Sequence, residues 1–175
     1  MNKIGEVLFS ESEILEKVND IAQEINNDYV NKSICFISIL KGSFMFASDL
    51  MKQIKPDCEM DFLSISEFEG KSSTGQVQIK KDIDISIEGK HVILLENITN
   101  TGLTLNYLKK MLLARGPASV KIACFLKRSS IEKENIKIDY QGFQIKDNYL
   151  VGYGLDINQK FRNLKEIRHL QKVRK

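Results

Sequence analysis

Apolar residues recur at helical spacing near the start of the chain. Ser10 and Glu13 form a capping-box pattern, in which each side chain accepts a hydrogen bond from the other residue's backbone N–H. The apolar positions that follow are Ile14, Leu15, Val18, Ile21, Ala22 and Ile25. Because residues three and four apart share one face of a helix, this segment predicts an amphipathic helix.

Four further segments have the continuous or alternating apolar pattern of strands. They are ICFISIL (34–40), CEMDFLSIS (58–66), HVILLE (91–96) and VKIACFL (120–126). Shorter strands are predicted around 77–79 and near 149–155. The polar, Gly- and Ser-rich segment 67–76 has the composition of a mobile loop.

Two more helices are predicted between these strands. One covers 44–54 and closes near Pro56, and the other runs from 103 to about 115, where Gly116 and Pro117 stop it. Apolar strands that alternate with helices indicate an α/β protein with a largely parallel sheet covered on both faces.

Composition favours one globular domain over 1–175, because 42% of the residues are hydrophobic and 28% are charged. No stretch approaches the ~20 apolar residues that a membrane span needs. Charges interrupt the first residues too early for a secretory signal. Cys35, Cys58 and Cys124 are scattered and odd in number, which favours reduced core thiols in a cytoplasmic protein.

Positive charge is concentrated in the segment 165–175, although the net charge of the chain is only +3. Its sparse apolar residues predict a solvated terminal segment. An RNA-binding surface would be expected to interleave aromatic residues with the charges, and this segment has none. Nucleic acid is therefore not the expected partner.

A loop rich in threonine and glycine follows the strand that ends at Glu96. Thr99, Thr101 and Thr104 offer hydroxyl groups, Gly102 lets a ligand approach the backbone, and the next helix directs its N–H groups at the loop. These features suit a phosphate monoester. An ordinary helix capped by one threonine is the alternative, since short loops of this kind are weak signals.

Other polar residues follow strands in the same way. Glu96 could accept hydrogen bonds from sugar hydroxyls, because open α/β sheets bind ligands at the carboxyl ends of their strands. Lys41 with Gly42 could bind an anion, and Asp156 and Arg162 could serve a metal ion and a phosphate. Taken individually, Asp156 and Arg162 fit ordinary surface residues better than ligand-binding ones, and a strand-end glutamate or lysine can also simply face water.

In combination, these segments resemble the hypoxanthine (guanine) phosphoribosyltransferase family. The matching segments are SILKGS (38–43), VILLENITNTGLTL (92–105), ACFLKR (123–128) and NYLVGYGLDINQKFRNL (148–164). The resemblance implies a type I phosphoribosyltransferase-like fold, with a twisted, mainly parallel sheet flanked by helices and a small hood. It also implies transfer of a 5-phosphoribosyl group from phosphoribosyl pyrophosphate to a purine, with Mg²⁺ as cofactor.

The resemblance assigns roles to the phosphate-binding residues. Lys41, Gly42 and Arg162 would bind pyrophosphate, and the Leu40–Lys41 peptide bond is expected to be cis. The 5′-phosphate would be held by Thr99, Thr101, Gly102 and Thr104.

The remaining roles concern the ribose, the metal and the base. Glu96 would hold ribose hydroxyls and, with Asp156, help to bind Mg²⁺. Lys127 would donate a hydrogen bond to the exocyclic oxygen of the purine, which favours a 6-oxopurine over adenine. Tyr149 would stack on the purine ring, and the Leu150 backbone would meet its edge.

Four positions depart from the family pattern. Asn97 stands where the family has an aspartate beside the ribose, and Asn100 stands where an aspartate takes the N7 proton of the base. Glu67 and Phe68 stand where the mobile loop has Ser-Tyr. An amide cannot accept that proton, so general base catalysis at Asn100 would be lost, typically ~10²–10⁴-fold. Asn97 likewise removes a negative charge that would stabilise a cationic transition state.

Two functions remain open at this point. The chain is either a 6-oxopurine phosphoribosyltransferase with reduced activity or a non-catalytic paralogue that binds a purine nucleotide and regulates a partner. Most of the sequence supports the transferase. Asparagines introduced to trap a ligand are a third explanation. In each case the expected ligands are phosphoribosyl pyrophosphate and a purine base or nucleotide, and the expected assembly is a homodimer or homotetramer.

Overall fold

The computed structural model describes residues 2–67, 77–99, 102–129, 136–146 and 149–172, which contain three helices and nine strands. The elements in chain order are β1 (Asn2–Phe9), α1 (Glu11–Asp28), β2 (Ile34–Leu40), α2 (Phe44–Met51), β3 (Cys58–Glu67), β4 (Val77–Lys81), β5 (His91–Thr99), α3 (Leu103–Leu113), β6 (Ser119–Arg128), β7 (Tyr140–Ile145), β8 (Leu150–Val151) and β9 (Ile167–Lys172).

The main sheet has six strands in the order β4-β3-β2-β5-β6-β7. Strands β3, β2, β5, β6 and β7 are parallel to their neighbours, and β4 alone among these pairs runs antiparallel, to β3. The carboxyl ends of β2, β5 and β6 therefore lie at one edge of the sheet. This arrangement confirms the predicted fold class.

Helices cover both faces of this sheet, which explains the continuous apolar runs in its central strands. On one face, α1 and α2 pack against strand residues that include Phe36, Leu95 and Phe125. On the other face, α3 contributes Leu105, Leu108 and Leu112 to a second cluster. Because successive strand residues point to opposite faces, β2 and β5 have few positions left for polar residues.

The helix boundaries agree with local sequence signals at their starts and less well at their ends. The capping box of Ser10 and Glu13 is formed, with Ser10 N–H donating to Glu13 Oε2 at 2.8 Å. Leu15, counted among the apolar positions, is 46% exposed, so the buried stripe is narrower than predicted. Helix α2 ends at Met51 rather than near residue 54, because the next residues form tight turns through Gln53 N–H to Leu50 O and Ile54 N–H to Met51 O.

A second sheet, in the order β1-β9-β8, corrects the prediction of a solvated segment over 165–172. Strand β9 pairs antiparallel with both β1 and β8, and its Ile167 side chain is fully buried. The strand predicted near 149–155 is reduced to β8 and belongs to this small sheet, while β1 and β7 were not predicted. The pairing partner of β9 lies near the other end of the chain, so no local pattern indicates it.

The three cysteines are free thiols, as expected from their scatter. Cys35 and Cys124 are buried, and burial raises the pKa of Cys35 to about 11 and raises that of Cys124 further. Both groups therefore pack as small apolar residues. Among the residues described, none of the helices combines the length and apolar content needed to cross a membrane.

Asp61 holds the connection between β4 and β5 against the sheet. Its buried carboxylate accepts hydrogen bonds from the backbone N–H groups of Asp84 at 2.6 Å and Ile85 at 3.1 Å, and from Phe62 N–H at 2.7 Å. Burial opposes its ionisation, but these bonds and the charge of Lys81 outweigh it and hold the pKa of Asp61 below its usual value. The carboxylate thus accepts hydrogen bonds from backbone N–H groups that have no strand partner in this irregular segment.

We expect Asp61→Asn to lower the free energy of unfolding by about 1–3 kcal/mol at pH 7, because an amide N–H₂ would face backbone donors. The folded-state pKa of Asp61 is lowered, so its stabilisation is present above the unfolded-state pKa of about 4 and is lost as the pH falls through the folded-state value. Urea unfolding at pH 7 and at successively lower pH measures this, with the exposed Asp57→Asn as control. A difference that persists unchanged in acid would contradict the assignment.

Candidate active site

A cavity of about 450 Å³ opens at the carboxyl edge of the main sheet. Among the residues that the structure describes, its walls consist of Ile39, Leu40, Gly42, Ile65, Glu96, Ile98, Arg128, Tyr149, Leu150, Leu155, Asp156, Ile157, Arg162 and Leu170. Three layers thus meet here: the ends of the parallel strands, the turn after β8, and the small sheet. The mixture of apolar walls with two acids and two arginines suits a ligand that has both an aromatic and an anionic part.

The loop after β2 forms one side of the cavity. The Leu40–Lys41 peptide bond is cis, as expected from the resemblance. Behind it, the buried Ser38 and Ser43 hydroxyls lie 2.7 Å apart, and Ser43 N–H donates to Ile39 O. These bonds fix the path of the backbone, so that Gly42 faces the cavity.

Strand β5 continues past Glu96 to Thr99, where the sequence predicted a loop. Ile98 pairs with Leu126, and Thr99 pairs with Lys127. Glu96 lines the cavity, with Oε1 accepting a hydrogen bond from Asn97 N–H at 2.7 Å. Glu96 is therefore placed to meet a ligand at the expected position.

Asn97 and Thr99 are both buried and lie outside the set of described residues that line the cavity. The Asn97 amide Nδ2 donates to Tyr153 O at 2.8 Å. Because successive residues of a strand point to opposite faces, Asn97 faces away from Glu96. Sequence reasoning grouped the two residues as ribose contacts, whereas the structure separates them.

Helix α3 begins beside this strand end. Its N-cap is Gly102, in a left-handed conformation with φ of 77°. A threonine is therefore not the capping residue, which removes the alternative of an ordinary threonine-capped helix. Thr104 is half-buried in the first turn, whereas Asn100, Thr101 and Phe68 lie outside the described residues.

The opposite wall contains the residues expected to meet a base. Tyr149 is 51% exposed and Leu150 is buried, and both line the cavity. Arg128 lines the cavity beside them and was missed by sequence reasoning, although it follows Lys127 in the matched segment. Burial lowers the pKa of its guanidinium. Lys127 is half-buried on the neighbouring strand position and does not belong to the lining described above.

The turn after β8 carries a compact group of charges. Arg162 Nη2 lies 2.8 Å from Asp156 Oδ1, and its Nη1 donates to Gly154 O at 2.7 Å. Gln159, which sequence reasoning did not select, accepts hydrogen bonds through Oε1 from Lys41 Nζ at 3.1 Å and from Arg162 Nη2 at 3.2 Å. Lys41 and Arg162 are thereby held close enough to bind one anion between them.

Gly154 lets this turn contact the loop after β2. Its φ is 89°, and a Cβ atom there would lie only 2.0 Å from Gly42 O. Tyr153, the residue before Gly154, anchors the turn in the core. Its ring is buried, and its hydroxyl donates a hydrogen bond to Asp49 Oδ2 at 3.0 Å. Burial and the Asp49 charge raise the pKa of this tyrosine, so it acts as a neutral donor.

Comparison with known proteins agrees with this geometry. The family model for the phosphoribosyl transferase domain matches residues 7–158. A hypoxanthine-guanine phosphoribosyltransferase of Bacillus subtilis is 40% identical over 162 residues, which cover 92% of this chain and 90% of that protein.

Solved structures give the same result. A hypoxanthine-guanine phosphoribosyltransferase from Bacillus anthracis, crystallised with HEPES in its active site, superposes with a TM-score of 0.92 at 40% identity, over 98% of this chain and 100% of the other. A hypoxanthine phosphoribosyltransferase from Staphylococcus aureus superposes with a TM-score of 0.91 at 38% identity, over 96% and 92%. The chain therefore belongs to the hypoxanthine-guanine phosphoribosyltransferase family.

Proposed function

We propose that this protein transfers a 5-phosphoribosyl group from phosphoribosyl pyrophosphate to a 6-oxopurine in purine salvage, and releases pyrophosphate. The proposal rests on one observation, that the same cavity is lined by Gly42, Glu96, Tyr149, Asp156 and Arg162. Its relatives at about 40% identity are named for this reaction. Hypoxanthine, guanine and xanthine are the candidate bases.

Pyrophosphate would lie between the loop after β2 and the turn after β8. Lys41 and Arg162 supply positive charge from two sides, and Gly42 allows the phosphates to approach the backbone. A planar guanidinium suits bidentate contact with phosphate oxygens, and a lysine supplies a compact charge. Gln159 offers both cations a neutral oxygen, which an incoming anion can displace without breaking an ion pair.

The ribose 5-phosphate would occupy the space between β5 and α3. The 5′-phosphate site would consist of Thr99, Thr101, Gly102 and Thr104, with the first N–H groups of α3 directed at it. Glu96, which lines the cavity, would accept hydrogen bonds from ribose hydroxyls. The buried side chain of Thr99 limits its role to the backbone or to shaping the loop.

The purine would stack on Tyr149, with its edge against the Leu150 backbone. Lys127 would donate to the exocyclic oxygen, because an ammonium group has three donors and no acceptor. An exocyclic amino group would meet another donor there, so adenine is the base this site should reject. Arg128, the next residue of β6, points to the opposite face of the strand and adds a cation to the cavity wall.

Magnesium fits the acidic residues of the cavity. Asp156 and Glu96 both line the cavity and offer hard oxygen donors, and Mg²⁺ is commonly bound by one or two carboxylates together with substrate phosphates. No group of three or more acidic, His or Cys residues forms a complete metal cage in the part of the chain described here. When bound, Mg²⁺ would neutralise charge on the leaving pyrophosphate.

Asn100 lowers the expected rate and does not change the expected reaction. Glu96 retains one negative charge beside the ribose, where a cationic transition state develops. Asn100 can accept a hydrogen bond from the purine N7–H but cannot remove its proton. The N7 proton would instead be lost to water or by ionisation of the base before it reacts. Ionisation is easiest for xanthine, the most acidic of the three bases. We further propose a cytoplasmic homodimer or homotetramer.

The first test is direct. Nucleoside monophosphate formation from labelled phosphoribosyl pyrophosphate and Mg²⁺ should proceed with hypoxanthine, guanine or xanthine, and not with adenine. Calorimetric titration with the product nucleotides should be run on the same preparation. Nucleotide binding without any turnover would contradict the proposal and favour a nucleotide-binding regulator.

The second test concerns Asn100. Asn100→Asp should raise kcat about 10²-fold or more, because it restores a group that can accept the N7 proton. The KM for hypoxanthine should change less than about twofold, since both side chains can accept a hydrogen bond from the N7–H of the free base. Asn19→Asp, which adds the same charge on α1, serves as the control. An unchanged kcat would mean that another group removes the proton.

A further inference from the structure

Asn97 joins three segments that are distant in sequence. It is fully buried at the end of β5, its Nδ2 donates to Tyr153 O at 2.8 Å, and its Cβ faces Gly42 in the loop after β2. On the far side, Nδ2 lies against Gly154. We name Gly42, Asn97, Tyr153 and Gly154 the junction.

In this chain the side chain at position 97 acts as a hydrogen-bond donor at the junction. The Tyr153 carbonyl oxygen can only accept, so an aspartate carboxylate would place a second acceptor 2.8 Å from it. The orientation of the Asn97 amide is fixed by the same argument. Its Oδ1 has no hydrogen-bond partner among the described residues. The hydrogen bond from Nδ2 to Tyr153 O is therefore the one that fixes the side chain.

Contacts made at the junction reach the cations of the proposed pyrophosphate subsite. Gly154 packs directly on the Gly42 carbonyl, which sets the loop that carries Lys41. Gly154 O also accepts a hydrogen bond from Arg162 Nη1, and Gly154 N–H donates to Arg162 O at 3.0 Å. A shift of the turn at 153–154 would therefore displace both Gly42 and Arg162.

We propose that Asn97 is a positioning residue for the pyrophosphate subsite and does not contact ribose. The inference rests on the proposed function, because it takes Lys41, Gly42 and Arg162 as the groups that bind pyrophosphate. The side chain acts through the backbone of the junction and not on the substrate.

Pyrophosphate distinguishes the two roles because it contains no ribose. Calorimetric titration with pyrophosphate and, separately, with inosine 5′-monophosphate, both with excess Mg²⁺, should be run on wild type, Asn97→Leu and Asn97→Ala. Leucine keeps the branching of asparagine with a larger side chain, removes the donor and also removes the Oδ1 that has no partner among the described residues. Alanine removes the same donor without any risk of overpacking.

We expect both variants to bind pyrophosphate about fivefold to tenfold more weakly, the effect of one lost buried hydrogen bond. Their affinity for the nucleotide should stay within about twofold of wild type. Asn19→Leu, at a half-buried position of α1 outside the site, should change neither affinity. Thermal unfolding identifies a variant that is not folded, in which case the other variant decides.

Each other outcome overturns the inference. Unchanged pyrophosphate binding with weakened nucleotide binding would identify a ribose contact. Equal weakening of both would indicate a general structural role, and no change in either would mean that the junction does not depend on the amide. If wild type binds neither ligand, the proposed function itself is wrong and the inference falls with it.

Discussion

Parallel pairing of β2, β5 and β6 is the constraint on which the rest of the structure depends. It aligns three carboxyl ends at one sheet edge, and each end must then find partners for polar backbone groups that the ladder no longer satisfies. The loop after β2 and the start of α3 are the solutions reached here. The loop after β2 presents Gly42 to the cavity, and α3 begins at Gly102 beside the end of β5. The segments that end these strands thus also supply glycines and backbone N–H groups of the kind that bind anions.

The charges at this edge are arranged in pairs that a ligand can rearrange. Arg162 is held by Asp156, by a backbone carbonyl and by Gln159, and Lys41 shares the last of these. Partly exposed contacts of this kind contribute little to stability. These contacts instead hold the Lys41 and Arg162 side chains near the positions where a polyanionic substrate would bind them.

How much could be predicted from the sequence depends on how local each cause is. The capping box at Ser10 and the apolar runs of β2 and β5 act over a few residues, and the structure confirms them. The burial of Asn97 depends on Tyr153 and Gly154, which lie far along the chain, so its polarity was read as exposure to a ligand. Strand β9 was missed for the same reason, since charges separate its apolar residues and only pairing with β1 and β8 makes it a strand.

The small sheet has a consequence for the order in which the site is built. Leu170 on β9 lines the cavity, and β8, which follows Tyr149, pairs with β9. During synthesis from the amino terminus, the parallel sheet can assemble from segments already outside the ribosome, but this wall is absent until almost the whole described chain has emerged. A nascent chain therefore cannot use its ligand to assist early folding. Strand β1, although it is made first, likewise cannot pair until its neighbour β9 has been synthesised.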